Sequence, residues 1–134
     1  MELQYTFEQK ILFKHCDPAG IVFFPRYFEM INDCVESFFD EVLGWPFEDL
    51  LPTNGVPTAE ISTRFLAPSR HGDRLRLLLS VTRVGRSALG YRVDATCGDE
   101  TRFVAKAMLV HVDGKGTPTA WPAPIRAKLK EDRS

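Results

Sequence analysis

At 134 residues the chain is long enough for one ordinary domain and too short for separate cofactor and substrate domains. With 44% hydrophobic and 26% charged residues it has the composition of a globular protein, and disorder of the whole chain is excluded. Seventeen basic against eighteen acidic residues leave a formal charge of -1, which supplies no overall field for a nucleic acid backbone.

The segment from Tyr5 to Phe13 alternates, with Tyr5, Phe7, Ile11 and Phe13 on one face, as a half-buried strand does. Asp17-Pro18 and Gly20 break the alternation and predict a loop. Pro25 suits the first turn of a helix, where its missing N–H has no partner to lose. An apolar stripe of Tyr27, Phe28, Ile31, Cys34, Val35, Phe38, Phe39 and Val42 comes next at helical spacing. Glu29, Asp33, Glu36, Asp40 and Glu41 take the other side, and Gly44 marks the stop of a helix of about five turns. The stretch 45–55 is a connection with room for a short helical turn around Phe47 to Leu51.

The β signal resumes in a strand from Val56 to Ala67, a turn over 68–73, and a strand from Arg74 to Val84 in which Leu75, Leu77, Leu79 and Val81 alternate. Gly85-Arg86 predicts a tight hairpin into a fourth strand, Ser87 to Thr96, and Gly98-Asp99-Glu100 turns the chain into a fifth, Thr101 to Val112. Beyond Asp113, a tail rich in glycine and proline either docks a short helix over Ile125 to Lys130 or frays. Short links between the last four strands favour antiparallel pairing, so the expected class is α+β. One domain over 1–134 is expected, with its core at about 5–112 and a tail from 113 to 134. A five-stranded sheet leaves edges that pairing with a second copy would cover.

No apolar run approaches the roughly 20 residues that span a bilayer, so no membrane span is expected. The opening residues contain Glu2 and lack the basic start and apolar run of a signal peptide, which makes the cytoplasm the expected compartment. Cys16, Cys34 and Cys97 are an odd number without CxxC spacing and are expected as reduced thiols. His15, His71 and His111 lie far apart without HExxH spacing, so no metal is expected.

The stretch 13–28 carries the most chemistry. An acid, Asp17, sits in a loop that leads through Gly20 and four apolar residues into a helix start. Helix N-termini present unpaired N–H groups and a partial positive charge, suited to a carbonyl oxygen that becomes negative during reaction. Pro25 has no N–H, so the donor falls to Phe24 or Arg26. Read from the pattern alone, Asp17 either caps the turn or carries the chemistry.

The run Asp17-Pro18-Ala19-Gly20-Ile21-Val22-Phe23-Phe24-Pro25, with Tyr27, resembles the motif of the 4-hydroxybenzoyl-CoA thioesterase family, small acyl-CoA thioesterases of the hotdog fold. The order of strands and helix across 5–112, and the stretch Phe65-Leu66-Ala67-Pro68-Ser69-Arg70-His71-Gly72-Asp73, are similar to that family as well. The resemblance implies a five-stranded antiparallel sheet wrapped around one long helix. It also implies assembly as a homodimer and a dimer of dimers, a homotetramer, with active sites at the subunit interface. The implied activity is hydrolysis of a small aromatic or short-chain acyl-CoA thioester to the free acid and coenzyme A.

On this resemblance Asp17 is the catalytic carboxylate, as nucleophile or as general base, Gly20 completes its Asp-x-x-Gly element, and the backbone N–H of Phe24 polarises the carbonyl. Relatives often carry tyrosine in place of Phe24, and a backbone donor survives that change. Phe23, Tyr27 and Phe28 are expected to bind the acyl group, and Arg86 with Ser87 the coenzyme A phosphates. Arg70, His71 and Arg83 are further possible contacts. No cofactor is implied, since coenzyme A is part of the substrate. A thiolate leaves readily, so no histidine is required; His15 is expected as a solvated loop residue, Cys16 as packing, and Glu60 as the partner of a nearby arginine. Two other functions stay open: hydrolysis of acyl groups on acyl carrier protein, and non-catalytic binding of acyl-CoA.

Overall fold

The computed structural model describes residues 3–130; the outermost residues of the expected 1–134 domain lie outside them. In chain order it holds β1 (Gln4–Lys10), a 3₁₀ turn (Phe13–His15), α1 (Pro25–Glu41), α2 (Phe47–Leu50), β2 (Thr58–Phe65), β3 (Arg74–Val84), β4 (Ala88–Cys97), β5 (Glu100–Val110) and α3 (Ala123–Leu129). The strands form one antiparallel sheet in the order β1-β3-β4-β5-β2, packed on α1 in the hotdog arrangement.

α1 contains no glycine and no proline beyond its first residue, and it buries Tyr27, Met30, Ile31, Cys34, Val35, Phe38 and Phe39. Met30 joins the stripe read from the sequence, while Phe28 and Val42 are only half-buried. Gly44 ends the helix at φ +64, and the Trp45 N–H returns to Phe39 O at 2.9 Å, a seven-residue closure that left-handed glycine permits. The sheet meets this face with Leu75, Leu77, Leu79, Leu89, Val93, Phe103 and Ala105, all 0–1% exposed. Full burial of one such large side chain stabilises the fold by about 1.5–3 kcal/mol. Burial also pushes the Cys34 thiol up to about 12, which leaves it a protonated packing group.

The alternation read through Phe13 outlasts the strand. Lys10 pairs with Arg74, the first residue of β3, so the sheet offers no partner to the residues beyond Lys10. Ile11 instead bonds to the 68–73 turn, donating to Asp73 O at 2.7 Å and accepting from Gly72 N at 2.8 Å. The chain then coils, and Phe13 is 82% exposed rather than on the buried face.

The tail docks instead of fraying, and the core extends past residue 112. Trp121, Ile125 and Leu129 are buried, and Trp121 Nε1 donates to Ala88 O at 3.1 Å. His111 stacks on Trp121 with ring centroids 4.9 Å apart, accepts from Asn54 Nδ2 through Nε2 at 2.9 Å, and donates through Nδ1 to Thr119 O. That set of partners ties the α2–β2 connection to the tail.

β2 is the counterexample to this burial. Among the described residues it pairs only with β5 and its outer edge is unpaired, and seven of its eight residues are exposed.

Candidate active site

The loop after β1 is a miniature hairpin. Phe23 N–H donates to His15 O at 2.9 Å, Cys16 bridges Val22, and Asp17 N–H donates to Ile21 O at 2.9 Å. Gly20 closes the turn, donating to Asp17 O at 2.9 Å with φ +82. A Cβ there would touch nothing, so the backbone conformation alone calls for glycine. Asp17 Oδ1 accepts the Ala19 N–H at 2.9 Å, which is the turn-capping role. Its Oδ2 makes no hydrogen bond among the described residues, and the side chain is only half-buried. One oxygen holds the loop and the other stays available.

The hairpin leads into α1, and the two donors weighed in the sequence separate here. Arg26 N–H is taken by Phe23 O at 2.9 Å, and Tyr27 N–H by Phe24 O at 3.1 Å. Phe24 N–H has no acceptor among the described residues. Phe24 already has helical backbone angles, φ -52 and ψ -35, so its N–H is aligned with the helix axis and shares the positive end of the dipole. The group can therefore donate to an oxygen that gains negative charge.

Beside it runs an open groove of about 290 Å³ whose walls include Val22, Phe24, Tyr27, Phe65, Leu66 and Pro68. Phe65, the last residue of β2, organises the aromatic wall. It stacks on Tyr27 with centroids 5.8 Å apart and meets Phe24 edge-on at 5.8 Å and Phe28 at 6.3 Å. Sequence reasoning did not single out Phe65 as a site residue; its signal was an apolar Phe65-Leu66 pair closing a strand that is otherwise mostly polar. Phe23 lies outside this wall, 49% exposed and in edge-on contact with Phe24.

Other expectations are corrected. His15 is 4% exposed, not solvated. Its Nδ1 accepts the Leu12 N–H at 2.8 Å, and burial lowers its pKa, so it is a neutral ring that shapes the 3₁₀ turn. Cys16 packs as expected, its Sγ donating to Leu12 O at 3.6 Å. Glu60 is exposed on β2 and forms no ion pair among the described residues, because the edge position leaves its carboxylate in water.

Within one chain, Arg86 and Ser87 are not brought together with Asp17. Asp17's hairpin contacts the turn before β3, whereas Arg86 and Ser87 come after its far end, beyond a strand of 11 residues that spans about 35 Å. Arg83 lies toward that far end as well. Arg70 bridges Ile21, and the His71 ring lies 6.2 Å from Phe13, so these two belong to the Asp17 end.

Residues 11–129 match the family model of the thioesterase-like superfamily, which covers both the Asp17 hairpin and the docked tail. The chain belongs to the thioesterase-like superfamily. This thioester hydrolase is 30% identical over 101 residues to a 1,4-dihydroxy-2-naphthoyl-CoA hydrolase of Acaryochloris marina, covering 72% of each chain. It is 25% identical over 118 residues to a 4-hydroxybenzoyl-CoA thioesterase of a Pseudomonas species, covering 84% of each. Among solved structures, a 1,4-dihydroxy-2-naphthoyl-CoA thioesterase from Synechocystis superposes with a TM-score of 0.86 at 19% identity, covering 94% of this chain and 95% of that one. That last likeness concerns the fold.

Proposed function

We propose that this thioesterase hydrolyses the coenzyme A thioester of a small aromatic acid. The observation that carries the reading is the placement, in one hairpin and helix start, of a carboxylate oxygen and a backbone N–H that are both uncommitted, beside an aromatic groove. The curated relatives named for aromatic acyl-CoA thioesters support the choice of carrier and acyl class. In the proposed step the Phe24 N–H polarises the thioester carbonyl. Asp17 either attacks that carbon or takes a proton from the water that does, and collapse of the adduct expels the coenzyme A thiolate; on the first route water then cleaves the acyl–Asp17 anhydride and restores the carboxylate. Hydrolysis consumes one water and yields the free acid and coenzyme A.

The test is thiol release from benzoyl, hydroxybenzoyl and phenylacetyl-CoA beside medium-chain fatty acyl-CoA and the same acyl groups on acyl carrier protein. Aromatic coenzyme A thioesters are expected to turn over at least roughly 10-fold faster, in kcat/KM, than either other class. A preference for carrier-protein thioesters would move the function to that substrate. Binding of acyl-CoA without release would leave a binding protein.

The reading includes a second copy of the chain. Ile61, Phe65 and Leu66 are 39–51% exposed along the unpaired β2 edge, and Phe23 and Phe24 add to the same apolar surface. Antiparallel pairing of two β2 edges would cover it. Because such pairing inverts one sheet against the other, it would also carry a second copy's β3–β4 turn toward this chain's Asp17 end, where Arg86 and Ser87 could reach coenzyme A phosphates. Sedimentation at micromolar concentration is expected to give at least twice the 15.2 kDa chain mass, and a dimer of dimers if the sheets associate further. Monomer alone would remove this assembly.

A further inference from the structure

Arg102 lies 85 residues along the chain from Asp17, yet its contacts converge on the segment that braces the Asp17 hairpin. It occupies a bulge: β4 and β5 pair Thr96 with Thr101 and Ala95 with Phe103, leaving Arg102 as the extra residue. Bulges of this kind re-aim a side chain out of the ladder, often beside functional sites. The guanidinium here turns to the 66–73 segment. Its Nη1 donates to Asp73 Oδ2 at 2.7 Å, Ser69 Oγ at 3.1 Å and Pro68 O at 3.2 Å, and Nε stands 2.7 Å from Glu100 Oε1. Its backbone carbonyl accepts the N–H of both Leu66 at 2.8 Å and Ala67 at 3.2 Å. One residue therefore anchors both ends of the segment.

That segment is the support of the hairpin. Ser69 O accepts the Val22 N–H at 2.9 Å, Arg70 bridges Ile21, and Ile21 O accepts the Asp17 N–H at 2.9 Å. We propose that Arg102 is a positioning residue that holds the Asp17 hairpin in register through the 66–73 segment. This rests on the reading of Asp17 as the reacting carboxylate. The guanidinium, 11% exposed, sets one nitrogen, Nη1, against three acceptors of the 66–73 segment in a small volume and holds its positive charge between Asp73 and Glu100. The pair also persists over the working range of pH. Hydrogen bonds from Arg102, then from the Arg70 backbone, hold Asp73 below its ordinary carboxylate value of 3.8, with Glu100 the other acid at the guanidinium. A depressed folded pKa stabilises above 3.8 and is lost only as pH falls through the lower folded value.

The test compares the full chain with Arg102→Met, Arg102→Lys and Asp73→Asn, reading amide hydrogen exchange and acyl-CoA turnover together. In a folded Arg102→Met, exchange at the Asp17 and Val22 amides is expected to rise by about 10-fold or more while Val93 in the sheet core stays protected. kcat is expected to fall by about 10-fold, more than KM changes, with part of the loss recovered in Arg102→Lys. If Arg102→Met does not fold, Arg102→Lys and Asp73→Asn give the same local reading. Unchanged exchange at Asp17 and Val22 overturns the proposal, as does a rise shared equally by Val93, or a local rise with kcat intact. Should the wild type release no thiol from any substrate, the acyl-CoA reading fails separately and local exchange alone decides the role of Arg102.

Discussion

Replacing Asp17 with asparagine is expected to lower kcat by about 10²-fold or more, roughly 2.7 kcal/mol of transition-state stabilisation, in a protein that remains folded. The expectation separates the two jobs of this side chain. Asparagine keeps an acceptor for the Ala19 N–H, so the turn survives, but it can neither attack a thioester carbon nor take a proton from water. Thiol release from the best aromatic acyl-CoA, measured beside the melting temperature, reads both. A folded variant within a few-fold of wild type would reduce Asp17 to a turn cap. Single turnover in ¹⁸O-labelled water then tests the nucleophilic route, since label in the Asp17 carboxylate requires an anhydride with the acyl group that water opens at the Asp17 carbonyl.

Phe24→Pro is expected to lower kcat by about 10²- to 10³-fold, the range for removing one donor to a developing oxyanion. Phe24→Ala is expected to stay within a few-fold. The backbone at this position has φ -52, which proline adopts, so the substitution deletes the N–H without asking the chain to turn differently. Alanine removes the ring and keeps the donor. Steady-state kinetics on both, with circular dichroism as the check on folding, distinguish a polarising N–H from an aromatic wall. Equal losses in the two variants would assign the effect to the ring's contact with Phe65 and sink the oxyanion role.

Much of this site was legible because it is local. Asp17, Gly20, Phe24 and Pro25 lie within nine consecutive residues, and turn chemistry and helix-start chemistry act over that distance. The choice of Phe24 over Arg26 as donor was not legible, because it depends on where Phe23 O points once the hairpin has formed. Arg102 gave no sign either. The acceptors of its side-chain hydrogen bonds are 29 to 34 residues away, and the bulge that turns it exists only through pairing with β4.

Periodicity and turn residues by themselves determined β3 to its end residues, α1 from Pro25, the antiparallel class and most of the apolar stripe of α1. Each of those depends on neighbours a few residues apart. Tertiary structure alone decided where β1 stops, since an apolar pattern continues past the last partner strand and Phe13 is left in solvent. It decided that His15 is buried and that the tail completes the core through Trp121, because burial depends on what distant segments bring to the same place. It also set Arg86 and Ser87 at the opposite end of β3 from Asp17, since a strand's length translates sequence separation directly into distance.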